Sequence, residues 1–108
     1  QFAREGLQTF GQMGIDNQAA GCRWVLGLVA LERGNISTAR GQLTTGLESA
    51  EESGVVRQVA HLHEAMGQLE MEGGEPAKAR RHQEQAIETF ERVGDTDRVR
   101  DLRTLLVE

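Results

Sequence analysis

The stretch LERGNISTARGQL, residues 31–43, decides the fold, because a closely similar stretch follows it forty residues later. The later copy is MEGGEPAKARRHQ, residues 71–83. The residues shared between the copies are Glu32, Gly34, Ala39 and Arg40, which recur as Glu72, Gly74, Ala79 and Arg80. A glycine followed by a capping residue is typical of the joint between two helices. The repeat therefore predicts that one helix ends at Gly34 and that the next begins at Asn35.

Glycines mark further helix ends at regular spacing. Two series recur every forty residues, namely Gly14, Gly54 and Gly94, and Gly34 and Gly74. Interleaved in this way, they predict two helices per repeat, each ending at a glycine in the left-handed conformation. Asn35 and Asp95 are expected to cap the helices that follow them, and Pro76 is expected to take a first helical position.

The spacing of apolar residues predicts an all-α fold. The predicted helices run over about 1–13, 16–33, 36–53, 55–72, 75–93 and 96–108. The stripe Cys22, Val25, Leu26 and Val29 recurs as Leu62, Ala65, Met66 and Leu69, and we expect both stripes to be buried. One domain is expected over 1–108: a partial repeat 1–13, repeats 14–53 and 54–93, and a partial repeat or capping helix 94–108.

A helix–turn–helix unit that recurs in this way is typical of a solenoid. The pattern Leu26, Gly27, Gly34, Ile36, Ala39, Leu43, Gly46 and Leu47, with its second copy Met66, Gly67, Gly74, Ala79, Ala86 and Ile87, resembles a tetratricopeptide repeat. It is similar to the longer form found in bacterial signalling and regulatory proteins. The resemblance implies an alpha-alpha superhelix of antiparallel helical hairpins, with Gly27, Ala39 and Gly46 where helices cross closely. It also implies a concave groove that binds protein or peptide.

Composition limits the classes of partner. The formal net charge is −5, which argues against a nucleic-acid partner and against an anionic membrane. No apolar run reaches the length of a membrane-spanning helix. Cys22 is the only cysteine, so no internal disulfide forms, which fits a cytoplasmic location. The first residues lack an initiator Met and begin within a helical pattern, so we expect an excised fragment.

Catalytic and metal-binding patterns are not expected. His61 and His63 lie about 200° apart around a helix, so they do not readily share a metal ion. We interpret His61 and Glu64 as a surface pair and His82 as a solvent-facing residue. Cys22 reads as a small buried hydrophobe, because no neighbouring base in the sequence would activate it. The sequence therefore predicts no enzyme, no cofactor and no metal site.

A second apolar stripe on the first full helix points to binding. Trp24, Leu28 and Leu31 are spaced i, i+4, i+7, and the resemblance implies that they line the groove. The corresponding surface of the next repeat contains His61, Glu64, Gln68, Met71 and Glu72, followed by Thr104 and Glu108 in the third. The predicted groove is thus apolar at one end and polar at the other. Its carboxylates favour a basic or amphipathic partner segment.

Two alternatives stay open at this point. Uncapped ends of a helical stack adhere to each other, so the chain could instead be a self-association module of a larger signalling protein, forming a homodimer. The role of Trp24 also stays open. It could line the groove, lie in a dimer interface, or belong to the core by packing on residues 1–13 or on a preceding repeat absent from this fragment.

Overall fold

The computed structural model describes residues 15–107 of the chain, with side chains from 20 to 106, and these residues form five α-helices and no strand. The helices are α1 (Ile15–Glu32), α2 (Ile36–Ser53), α3 (Val56–Glu72), α4 (Pro76–Arg92) and α5 (Thr96–Val107). The predicted all-α class is confirmed for this part of the chain, and each of these five predicted helices is correct to within a residue at either end. The predicted partial helix 1–13 and Gly14 lie outside the described residues.

The four joints between helices share one backbone design. Gly34, Gly54, Gly74 and Gly94 all have positive φ, between 73° and 79°, a conformation in which a side chain would be strained. At every joint the residue after the glycine donates its N–H to a carbonyl five positions earlier, as Asn35 does to Ala30 at 2.8 Å. This arrangement is a Schellman motif, which satisfies carbonyls that the helix end leaves without partners. The predicted left-handed helix ends are therefore confirmed at all four.

Helix starts differ more than helix ends. The Asn35 side chain accepts a hydrogen bond from the Thr38 N–H at 3.4 Å, and Asp95 caps α5 through the Arg98 N–H at 3.2 Å. Both predicted caps are confirmed. Pro76 takes the first position of α4, as expected, and the side chain of Glu75 before it makes no capping hydrogen bond.

Short joints place consecutive helices against each other as two hairpins, α1–α2 and α3–α4, with α5 packed on α4. Small residues permit the close crossings. A Cβ on Gly27 would overlap the buried Leu43 side chain, and one on Gly67 would lie 3.1 Å from Gln83 Cγ. Since residues 27 and 43 become 67 and 83 after forty residues, the two hairpins cross in the same way. Ala39 and Gly46 are also buried at such crossings, as predicted.

The core forms two groups of buried apolar residues. The first joins α1, α2 and α3 and contains Ala20, Ala30, Leu31, Ala39, Leu43, Ala50, Leu62, Ala65, Met66 and Leu69. The second joins α3, α4 and α5 and contains Ala60, Ala86, Ile87, Phe90, Val99 and Leu102. Because α3 contributes to both, it is the central helix of the described part of the chain.

Arg40, one of the residues that recur between the two copies of the opening motif, forms an ion pair between the two hairpins. The Arg40 guanidinium donates two hydrogen bonds to the Glu70 carboxylate, at 2.9 and 3.0 Å. These bonds hold the pKa of the buried Glu70 below its usual value. Arg80, the counterpart of Arg40, instead lies 3.8 Å from Glu84 on its own exposed helix face. The Arg40–Glu70 pair therefore ties the first hairpin to the second.

The predicted burial of the stripe on α1 is wrong. Val25 and Val29 are 52% and 37% exposed, whereas their counterparts Ala65 and Leu69 are almost completely buried. The difference has a positional cause, since α3 packs against α1, α2 and α4, whereas α1 contacts only α2 and α3 among the described helices. Cys22 is likewise half-buried and not a full member of the core.

Candidate functional groove

One face of the described structure carries three adjoining depressions, which together we call the groove. Their volumes are about 390, 160 and 300 Å³, and shared lining residues make them continuous. α1 contributes Trp24, Val25, Leu28, Val29, Leu31 and Glu32. α3 contributes His61, Glu64, Ala65, Gln68, Met71 and Glu72, and α5 contributes Arg98, Leu102 and Leu105, with Gln83 of α4 at the edge. Alternate helices of the chain thus supply nearly all of the surface.

The eight residues chosen from the sequence all lie on this surface. They are Trp24, Leu28, Leu31, His61, Glu64, Gln68, Met71 and Glu72. Sequence reasoning missed Val25 and Val29, which it had assigned to the core, and also Arg98, Leu102 and Leu105. The signal for the last two was present, because both leucines belong to the apolar spacing of α5.

The expectation that the third helix contributes a polar end is wrong for the residues described. Leu102 and Leu105 face Met71 across the third depression, so this end is also partly apolar. Thr104, which had been expected there, lines a separate depression with Val99 and Arg103. Glu108 lies outside the described residues. An error of one position around α5 explains the difference, because neighbouring helical residues point about 100° apart.

Exposed apolar side chains concentrate in the groove. Among the described residues, four large hydrophobic side chains are exposed: Val25, Val29, Met71 and Leu105. All four line the groove, two at each end. Apolar surface gathered on one face, with charged residues at its rim, is characteristic of interaction sites.

Trp24 and His61 form the middle of the groove. The Trp24 ring lies 4.9 Å from the His61 ring, which in turn meets the Phe90 ring edge-on at 5.1 Å. Trp24 therefore packs on α3 and is half-buried, and His61 is not the solvated surface residue that the sequence had suggested. Burial, with a smaller contribution from Arg98, lowers the pKa of His61, so its imidazole is neutral at pH 7.

The three carboxylates of the groove differ in whether they have a partner within the protein. Glu64 accepts hydrogen bonds from Arg98 at 3.1 and 3.4 Å, so its charge is matched within the protein. Glu32 and Glu72, which line the largest of the three groove depressions together, form no ion pair with any described residue. Both end their helices, where the helix dipole adds negative potential. This end of the groove is therefore apolar in its floor and negative at its rim.

The polar groups of the groove are few and most of them have partners or are neutral. The polar side-chain groups of the groove are the Glu64–Arg98 ion pair, the neutral His61 imidazole, the Trp24 indole N–H, the Gln68 and Gln83 amides, and the Glu32 and Glu72 carboxylates at the rim. No described helix has the length and apolar character needed to cross a lipid bilayer. In comparisons with known proteins, no protein-family model and no curated protein matches this sequence.

Proposed function

We propose that the chain is a tetratricopeptide-like scaffold whose groove binds a basic, amphipathic segment of another protein, without catalysis. In this proposal the hairpins continue as a superhelix, and the groove is its concave face. The main support is the position of the four exposed large hydrophobic side chains, all of which lie in the groove. The proposed setting, a regulatory protein of the bacterial cytoplasm, rests on the sequence resemblance.

The chemistry of the partner follows from the two ends of the groove. Val25 and Val29 offer apolar surface next to the unpaired carboxylates of Glu32 and Glu72. A helix with apolar residues at i, i+3, i+4 and i+7, and with Lys or Arg beside them, would fill both requirements. An acidic segment would be repelled by the rim and by the net charge of −5.

The test uses a displayed library of random peptides selected on the full chain and on the Val25→Glu/Val29→Glu variant. We expect peptides selected on the wild type to combine apolar residues with Lys or Arg. The double variant should bind them at least about tenfold more weakly, because it places charge in the apolar floor. Thr44→Glu, an exposed change on α2 outside the groove, serves as the matched control and should leave binding unchanged.

Measurement of molecular mass in solution separates this proposal from self-association. A monomer that binds the selected peptides supports a free groove. A dimer that Val25→Glu/Val29→Glu dissociates would assign the same apolar surface to a second copy of the chain and would replace the proposal. Peptides that bind the double variant as tightly as the wild type would also overturn it.

A further inference from the structure

A pair of histidines outside the groove forms the only contact between two imidazole nitrogens in the described part of the chain. His63 of α3 and His82 of α4 meet with their Nδ1 atoms 3.1 Å apart. His63 is only 6% exposed and His82 is half-buried, so the solvent-facing position predicted for His82 is wrong. The pair lies inside the second hairpin, where it joins the two helices.

The rings face each other head to head. Their centroids are 5.4 Å apart, which is close to the largest separation that a 3.1 Å contact between Nδ1 atoms allows. The lone-pair directions of the two nitrogens therefore point towards each other along nearly one line. In the neutral pair one Nδ1–H donates to the other Nδ1, and a single hydrogen occupies the space between the rings.

We propose that His63 and His82 form a two-coordinate site for a monovalent metal ion of linear preference, Cu(I), which replaces the shared hydrogen and joins α3 to α4. Imidazole is a good ligand for copper. Two metal–nitrogen bonds of about 2 Å require the nitrogens to be roughly 4 Å apart, so the rings must separate by about 1 Å. His82 is half-buried, so its side chain can make this movement towards solvent.

Charge and ligand number favour a monovalent ion over zinc. A structural zinc site needs four ligands, and no set of three or more His, Cys, Asp and Glu residues that could hold a metal occurs among the described residues. Among the charges that act on His82, Glu70 is the strongest, but its carboxylate is already bonded to Arg40, and the charges of Arg81 and Arg40 oppose its effect. A second positive charge on the ion would be poorly compensated there.

Binding needs no net release of protons at neutral pH. Burial keeps both imidazoles neutral, with the pKa of His63 at about 4 and that of His82 below its usual value. The donor ring must therefore only transfer its hydrogen from Nδ1 to Nε2, which leaves both Nδ1 lone pairs for the metal. Water can mediate this transfer at the more exposed His82. The site is independent of the proposed groove function.

The test uses Ag(I), a redox-inert ion with the same linear preference, in chloride-free buffer. All proteins carry Cys22→Ser, since the half-buried thiol would compete for the ion. We expect one Ag(I) per chain and a higher melting temperature, because a ligand that binds only the folded state stabilises it. Zn²⁺ should bind at least about tenfold more weakly. Anaerobic Cu(I) should reproduce the Ag(I) result.

His82→Gln is the decisive variant, because the amide keeps a hydrogen-bond donor for His63 but removes the second nitrogen ligand. It should weaken Ag(I) binding by at least about tenfold, whereas Gln42→Ala, the same position one repeat earlier, should not change it. Nitrogen-15 spectra of the imidazoles give a readout that does not depend on variants, since one equivalent of Ag(I) should shift both Nδ1 signals. Unchanged binding by His82→Gln, or a shift at only one ring, would overturn the proposal.

Discussion

The two hairpins place different chemistry at the same pair of positions. In the first hairpin Arg23 donates a hydrogen bond to Gln42 at 3.0 Å. Forty residues later these positions hold His63 and His82, whose rings meet at 3.1 Å. The backbone crossing is the same, since Gly27 faces Leu43 in one hairpin and Gly67 faces Gln83 in the other.

This difference shows which features the repeat keeps and which it leaves free to vary. The joints, the small residues and the crossing recur, because together they fix how close two helices approach. The polar pair at these two positions differs between the hairpins. The pair of Arg23 and Gln42 carries a permanent positive charge, whereas His63 and His82 are neutral and can titrate. Each of the following predictions compares one hairpin with the other.

The largest effect is expected at the crossing itself. Leu43 is fully buried, whereas its counterpart Gln83 is half-buried at the edge of the groove. Leu43→Ala should lower the free energy of unfolding by about 2–5 kcal/mol, because it removes buried methyl groups and leaves a cavity. Gln83→Ala should cost less than about 1 kcal/mol. Urea denaturation measures both, and equal losses would show that the two crossings are energetically alike.

The next largest effect is a dependence on pH in the second hairpin. Burial and the neighbouring His82 lower the pKa of His63 to about 4, against an ordinary value near 6.5. Between these values the unfolded chain binds more protons than the folded chain. From His63 alone, the free energy of unfolding should thus be highest above pH 6.5 and should fall by roughly 3 kcal/mol as the pH drops to 4.

A matched variant isolates the contribution of the histidine pair from that of the carboxylates. His63→Gln/His82→Gln keeps a polar pair that does not titrate, so its stability should fall much less between pH 7 and 4. Arg23→Gln in the first hairpin should leave the dependence of the wild type intact. A double variant with the same pH profile as the wild type would show that the histidine pair is not its source.

The smallest effect is expected at the helix starts. Asn35 caps α2 through its side chain, whereas Glu75 makes no such bond before α4. Asn35→Ala should cost about 1 kcal/mol, and Glu75→Ala should change stability by only a few tenths. Thermal unfolding can resolve this difference, and equal shifts in melting temperature would contradict the structural distinction between the two caps.

Much of the fold could be predicted because it depends on local rules. A left-handed glycine, a capping Asn or Asp and a helical apolar spacing each act within a few residues, and all three gave correct helix boundaries. The burial of Val25 and Val29 could not be read in the same way. Their pattern matches that of Ala65 and Leu69, and only the number of neighbouring helices makes the outcome differ.

Contacts across helices were the hardest to predict. The sequence places His61 and His63 two positions apart, and the helical angle predicts that they point in nearly opposite directions. In the structure His61 contacts Trp24 and Phe90, whereas His63 contacts His82. The opposite directions follow from the helical angle, but the partners depend on the alignment of α3 with helices on both sides.

The four glycine joints lie twenty residues apart and have the same conformation. They divide the described part of the chain into helical units of equal length. Copying residues 34–73 and inserting the copy before Gly74 would keep every glycine joint twenty residues from the next, with one new junction in which Gly34 follows Gly73. A lengthened protein of this kind should gain one whole hairpin and keep its helical register, whereas an insert of thirty-seven residues would leave one helix three residues short and rotate its side chains relative to the joint. Length in this architecture is thus quantised, and tandem duplication of the gene can extend it hairpin by hairpin, with His63 meeting a copy of Gln42 at the one new crossing.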